Sequence, residues 1–297
     1  MRSILWGFLN PVRHYRAIRY KNAVKQERKS EYEPELDLYA RILKNDMLHW
    51  GYFEDPDISP DDISIKDFET AQLRYAERIA ARMGPAPGHV LDVGCGMGGL
   101  AGMLSAQGYR MELLSPNARQ KQHIQRKYPD LPFHHCKYEA FASEETFDTI
   151  INAESFQYIK PDKAFEVSQK VLAPGGSWII VDYFRLGREG RNKSGHLLTD
   201  FRQKLGRNGW EIRFEEDITP HVLPTIRLAK SHADRFLIPL LDFGFEKFRI
   251  KQPWLYHMLS GLRERTMKKT EKEMAAIDPA QFAAEKKYMF FVLQRQP

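Results

Sequence analysis

The sequence predicts an α/β protein: a Rossmann-like, mostly parallel sheet with helices on both faces, N-terminal helices before it and a helical insertion before its last strand. Three observations carry this reading. A buried apolar strand, His89 to Val93, runs into a glycine turn (Gly94, Gly96, Gly98, Gly99) that opens a helix. Short apolar runs then alternate with helix-patterned segments as far as Tyr183, the order that builds parallel strands covered on both faces. A last apolar run, YMFFVL at Tyr288 to Leu293, supplies a closing strand after a long helical stretch.

Composition sets the outer bounds. A chain of 297 residues, 42% hydrophobic and 28% charged, is globular and can bury a sizeable core. No apolar run reaches the about 18 residues a membrane span needs. The opening MRSILWGFLNPV is read as no secretory signal, because Asn10 and Pro11 break the apolar patch and no small-residue cleavage site follows. Two cysteines, Cys95 and Cys136, make neither a disulfide framework nor a metal site, which fits a reducing, cytoplasmic location.

The formal charge of +6 is concentrated at the N-terminus, where residues 1–30 carry eight Lys and Arg against the single Glu27. Ile4, Leu5, Trp6, Phe8, Leu9, Val12, Tyr15 and Ile18 are interleaved with those cations, which predicts a basic amphipathic arm over 1–35. Such an arm suits an anionic membrane surface, placing the protein at the inner face of a membrane; it equally suits docking on the protein's own body. Nothing beyond the charge points to nucleic acid.

Residues 36–84 read as N-terminal helices: helical spacing from Leu36 to Leu43, an aromatic turn HWGYF (His49 to Phe53), a polar loop, and an amphipathic helix from Phe68 to Met83. The sheet region, 85–219, follows. Its strands are His89–Val93, Arg110–Leu114, Leu131–Cys136, Phe147–Ala153, Ser177–Tyr183 and Trp210–Ile218, with helices over Pro116–Lys127, Lys163–Leu172 and Leu197–Leu205. Residues 220–286 are helical in pattern and rich in large apolar side chains, a cap for an acceptor region, and 287–297 hold the closing strand.

The glycine turn alone leaves its ligand open, since Gly94, Gly96 and Gly99 satisfy GxGxxG while Gly94, Gly96 and Gly98 satisfy GxGxG. A nicotinamide dinucleotide would need an acid at the end of the second strand, yet Glu112 lies inside that strand and its end reads Leu113, Leu114, Ser115. The ordered set LDVGCGMGG, LLSPNARQ, CKYEAF, FDTIINAES and VLAPGGSWIIVDYF resembles the class I S-adenosylmethionine-dependent methyltransferases over about Trp50 to Phe184. Within that class HWGYF, Ser115, Pro116 and Gln120, and the AES at Ala153 to Ser155 resemble the group of cyclopropane fatty acid synthases and tocopherol, sterol and prenyl-diphosphate C-methyltransferases.

The resemblance implies a seven-stranded sheet, S-adenosylmethionine at its carboxyl edge, and a small hydrophobic or lipid-like acceptor methylated at carbon or oxygen. It implies that Asp92, Gly94, Gly96 and Gly98 hold the methionine part, that Ser115 and Gln120 approach the ribose, and that Lys137, Tyr138 and Glu139 face the adenine. Asn152 and Ala153 would stand beside the sulfonium, with His49, Trp50 and Tyr52 covering the cofactor. Leu113 departs from the usual pattern, in which an acid takes the ribose hydroxyls. Glu154 matches a glutamate beside the transferring methyl, a place where a carboxylate can take a proton or steady positive charge. Relatives continue to a histidine where this chain has Tyr158, which argues against a histidine relay at that position. The candidate catalytic set is Glu154, His49 and Tyr158.

Asp182, Tyr183, Asp217 and His221 are weaker candidates, and His134 and His135 read as packing residues. No ligand spacing near the turn predicts a metal. Two other readings stay open: a catalytically silent cofactor-binding protein that works through its basic arm, and a nicotinamide-dependent oxidoreductase.

Overall fold

The computed structural model describes Val12 and residues 15–21, 42–189 and 193–296. Most of the expected basic arm and the expected Leu36 helix lie outside those residues; Val12, Tyr15 and Ile18, which are described, are exposed on a helical stretch.

The strands are β1 (His89–Val93), β2 (Arg110–Leu114), β3 (Phe133–His134), β4 (Phe147–Ala153), β5 (Leu172–Arg185), β6 (Trp210–Asp217) and β7 (Lys286–Arg295). They form one seven-stranded sheet in the order β3-β2-β1-β4-β5-β7-β6. β7 runs antiparallel to both its neighbours and the other strands run parallel. The order reverses between β1 and β4, so a crevice opens beyond their carboxyl ends, where open α/β sheets take their ligands.

The helices are α1 (Ile65–Ala80), α2 (Gly99–Ala106), α3 (Ala118–Lys127), α4 (Pro161–Val171), α5 (Leu198–Arg207), α6 (Thr219–His232), α7 (Ile238–Lys251), α8 (Pro253–Met258), α9 (Ser260–Ala276) and α10 (Pro279–Glu285), with a π turn, Ala233–Leu237, between α6 and α7. Helix starts follow local chemistry. Ser64 and Asp67 form a reciprocal capping box that starts α1 three residues before the expected Phe68. Asn117 caps α3 by accepting from the Arg119 and Gln120 amides, so that helix begins after Pro116 rather than at it.

Alternation along the strands divides the core into two layers. Leu91, Ile150, Trp178, Ile180 and Phe291 face α4 and α5 through Phe165, Leu198 and Phe201. Val90, Ile151, Ile179, Tyr288 and Phe290 face α1, α2 and α6 through Tyr75, Leu104 and Val222. Both sheet faces are therefore apolar, which is why these strands read as continuous hydrophobic runs rather than alternating ones.

The insertion divides by packing. α6 and α10 contribute Val222, Ile226 and Phe282 to the second layer, whereas α7 and α8 bury no residue.

Candidate active site

At the end of β1 the chain turns through Gly94 and Gly96 at φ +77° and +56°. A Cβ on Gly94 would stand 2.3 Å from Cβ of Ser155, and one on Gly96 would stand 3.3 Å from Leu48. The turn is thus closely approached by the loop after β4 and by the segment before α1. The Gly94 amide donates to the Leu114 carbonyl at 2.7 Å, which fixes the turn against β2.

A cavity of about 710 Å³ opens here, lined from five places in the chain. β1 and the turn supply Val93, Gly94 and Gly96. The end of β2 and the start of α3 supply Leu114, Ser115, Pro116, Asn117 and Gln120. After β3 come Lys137, Tyr138 and Glu139, and after β4 come Ala153, Glu154, Ser155, Tyr158 and Ile159. Leu48 and His49 complete the lining.

Glu154 takes φ +56°, a conformation that side chains rarely adopt and that costs about 1–3 kcal/mol. Its surroundings hold it there. Its amide donates to the Val181 carbonyl at 2.9 Å. Its Oε1 accepts from the Trp50 amide and, at 2.5 Å, from the Tyr288 hydroxyl. Next along, the Ser155 hydroxyl donates to the Val93 carbonyl and accepts from Asn152 Nδ2 at 2.9 Å, while Asn152 Oδ1 accepts from Trp178 Nε1 at 2.8 Å. Asp182 accepts from the Gln157 amide at 2.9 Å. The loop is tied to β1, β4 and β5 at once.

Burial sets the protonation states. It pushes the Glu154 carboxyl up to about 8, against the pull of the Tyr288 and Trp50 hydrogen bonds. It pushes Asp92 up to about 7, and the Asp92 Oδ2 atom is buried with no hydrogen-bond partner among the described residues. The His49 ring stacks on Tyr75 at 4.1 Å, and its Nδ1 lies 2.9 Å from the Trp50 carbonyl oxygen. That contact assigns the ring proton to Nδ1, leaving the buried Nε2 as an unpaired acceptor. Desolvation lowers this imidazole to about 4, so it is neutral at physiological pH.

Of the residues expected from sequence, His49, Gly94, Gly96, Ser115, Gln120, Lys137, Tyr138, Glu139, Ala153, Glu154 and Tyr158 line the cavity. Tyr158 is 80% exposed, so its ring stands at the solvent side. Others stand behind the cavity wall. Trp50 packs its ring among Phe282, Tyr288 and Tyr183 and reaches the site through its amide. Tyr52 stacks on His221 at 4.5 Å with the Arg78 guanidinium over its ring. A Cβ on Gly98 would meet Ile124 and Tyr128, so this glycine serves the packing of α2 against α3. Asn152 is fully buried in the Trp178–Ser155 relay.

Asn117, Leu48 and Ser155 line the cavity without having been expected. Asn117 carried a readable signal, because an N-cap at a strand-to-helix junction sits on the carboxyl edge. Leu48 and Ser155 reach the site only through tertiary packing.

Asp217 binds Thr219 and, at 2.7 Å, Lys287; His221 Nδ1 lies 2.7 Å from the Phe53 carbonyl oxygen. His134 contacts Glu112 at 2.7 Å and His135 contacts the Pro116 carbonyl at 2.9 Å. Glu112 also contacts His89 at 2.9 Å, so it faces away from the glycine turn. Among the described residues one group has metal-ligand atoms close together, His89, Glu112 and Glu145; Arg110 pairs with Glu145 and His134 Nε2 lies 2.7 Å from Glu112.

Residues 90–176 match the methyltransferase domain family. Over that span the chain is similar to methyltransferase domains. The matched span runs from β1 into β5 and contains the glycine turn, Glu154 and most of the cavity lining.

Two curated relatives of this chain are 2-methyl-6-phytyl-1,4-hydroquinone methyltransferase of Synechocystis, 28% identical over 146 residues, and cyclopropane-fatty-acyl-phospholipid synthase of Escherichia coli K12, 27% identical over 159 residues. The alignments cover 46% and 51% of this chain but 45% and 39% of those proteins, so the chain spans less than half the length of the curated relatives it matches. Geranyl diphosphate C-methyltransferase of Streptomyces coelicolor A3(2) superposes with a TM-score of 0.61 at 16% identity, covering 89% of this chain and 98% of that one, a likeness of fold. No helix among the described residues is long and apolar enough to cross a membrane.

Proposed function

We propose that this chain transfers a methyl group from S-adenosylmethionine to a hydrophobic acceptor of lipid or isoprenoid type, at carbon or oxygen. One observation supports it above the rest: the cavity wall at the switch point carries a half-buried carboxyl, Glu154, whose Oε1 takes both donors while Oε2 takes none among the described residues.

The residues present suit a sulfonium cofactor. Asp92 Oδ2, two residues before Gly94, is a buried acceptor with no partner among the described residues, suited to an ammonium. Gly94 and Gly96 leave backbone open at the turn for the methionine part, Ser115, Asn117 and Gln120 are suited to ribose hydroxyls, and Lys137, Tyr138 and Glu139 bound the adenine side. Leu113, at the usual ribose-acid position, is fully buried, which leaves that contact to the polar residues of the next turn.

The cofactor supplies an electrophilic methyl carbon. The protein's part is to orient it, to exclude water, and to receive the proton that the acceptor loses as the new bond forms. Two groups can receive that proton, Glu154 once ionised and the neutral His49 through Nε2. A cation beside Glu154 favours its ionised form, so the carboxyl becomes a base when the cofactor is in place.

The relatives' names motivate the acceptor class: one acts on a phytyl hydroquinone and one on a fatty-acyl phospholipid. Residues 1–30, with eight Lys and Arg against one Glu, are proposed to add contact with anionic bilayers. Mass spectrometry of lipid extracts incubated with the protein and methyl-labelled S-adenosylmethionine tests the activity. A labelled, chloroform-soluble product is expected; label confined to the cofactor and its breakdown products would reject transfer.

A further inference from the structure

The insertion carries a surface that methyl transfer does not use. Phe236, Leu240, Phe243, Ile250, Trp254 and Met258 are each between 44% and 67% exposed. From Phe236 to Ile250 the spacing alternates four and three residues with Lys247 filling the one gap, which sets them along one side of the π turn and α7, while Trp254 and Met258, four apart, share a side of α8 beyond the break at Gln252. α7 and α8 bury no residue, so this stripe is not the solvent edge of a core helix. A soluble surface rarely strings so many large apolar side chains together without an occupant.

We propose that this stripe is a lipid-contact surface that lays α7 and α8 in the interface of an anionic bilayer. It extends the membrane contact proposed for residues 1–30, and the test separates the two.

Charge selects this occupant over two others. Residues 233–276 hold nine Lys and Arg against six Asp and Glu, so the insertion is net cationic. The N-terminal arm is more cationic still, and two cationic segments repel rather than cover each other. A second copy of the chain fits no better. Lys247 stands at the centre of the stripe, so a two-fold pairing, parallel or centred antiparallel, sets Lys247 against Lys247. At a bilayer the same lysine snorkels to the phosphates while Phe243, whose ring its ammonium flanks at 5.5 Å, enters the acyl boundary. Trp254 is the residue type favoured at that depth.

The test uses the full chain with Phe243→Ser and Trp254→Ser together, two exposed positions outside the cavity. Sedimentation with vesicles of phosphatidylglycerol and phosphatidylcholine is compared with sedimentation with phosphatidylcholine alone. The wild type is expected to bind the anionic vesicles, and the double variant to lose about tenfold or more in partitioning. Calorimetric affinity for S-adenosylmethionine is expected to be unchanged, which shows that the variant is folded. A chain lacking residues 1–30 is expected to keep part of its binding through the stripe. The proposal fails if the double variant sediments like the wild type, or if removing 1–30 abolishes binding outright. It also fails if sedimentation velocity shows a wild-type dimer that the double variant dissolves while vesicle binding stays the same.

Discussion

The Tyr288 hydroxyl, on the closing strand, donates a 2.5 Å hydrogen bond to Oε1 of Glu154, a residue 134 positions earlier at the end of β4. Tyr288 also lies 3.3 Å, hydroxyl to hydroxyl, from Tyr75 of α1, which bonds the Val181 carbonyl. One carboxyl thus ties β4 to β7 and to the segment before α1.

Tyr288→Phe removes a donor that pulls the Glu154 pKa down, so the carboxyl should ionise at higher pH. A hydrogen bond to a charged group contributes about 1.5–3 kcal/mol, roughly one to two pH units. The acidic limb of kcat/KM against pH should move alkaline by that amount, with the folded fraction at neutral pH preserved.

Cofactor affinity should depend on pH in a way that identifies Glu154. Its folded pKa of about 8 lies above its ordinary 4.5 because of burial. The ligand-free protein therefore loses stability as pH rises through that window, the unfolded chain having released its proton first. A sulfonium favours the ionised form, so S-adenosylmethionine binding should release a proton and tighten from pH 6 to about 8. S-adenosylhomocysteine, which keeps the amino-acid part but lacks the sulfonium, should show a weaker trend. In Glu154→Gln the difference between the two ligands should vanish, as read by calorimetry in buffers of differing ionisation enthalpy.

His49→Phe keeps the ring stack on Tyr75 and removes the unpaired Nε2. If that atom receives the proton, kcat should fall about 10²-fold or more while cofactor affinity changes little. Because the wild-type imidazole titrates near 4, no His49 inflection is expected in the rate profile between pH 6 and 9.

Trp178→Phe leaves Asn152 Oδ1 buried without its donor and opens a void beside Trp210. The expected loss is about 2–4 kcal/mol in denaturant unfolding. Freeing the Asn152–Ser155 relay should also weaken cofactor binding, since Ser155 anchors the Glu154 loop to β1.

The central strands were legible because both faces are buried, with glycine or proline bounding β1 and β2 and polar residues bounding β4: all three fall where the sequence predicts. β3 was expected over 131–136 and spans Phe133–His134, since as an edge strand it pairs only with Leu113 and Leu114. β5 starts at Leu172 rather than Ser177, because Leu172 pairs with Phe147 across a register shift that local pattern does not encode. In the site, Glu154, His49 and the turn glycines were readable as motifs. The left-handed backbone of Glu154 was not, nor was the Trp178–Asn152–Ser155 relay, because both arise from contacts between strands distant in sequence. Trp50 and Tyr52 read as cofactor covers, whereas their rings complete aromatic packing against Phe282 and His221 and only the Trp50 amide reaches Glu154.

The central claim is that the glycine turn and the Glu154 wall hold S-adenosylmethionine. Isothermal titration of the full chain, beside Gly96→Arg, tests it most directly. The Gly96 substitution puts a long side chain at φ +56° on a turn where even a Cβ would stand 3.3 Å from Leu48, filling the cradle. One binding site per wild-type chain and none in Gly96→Arg, with both proteins melting cooperatively, is the predicted result. No heat from the wild type, or tight binding of a nicotinamide dinucleotide in place of the sulfonium, would contradict it.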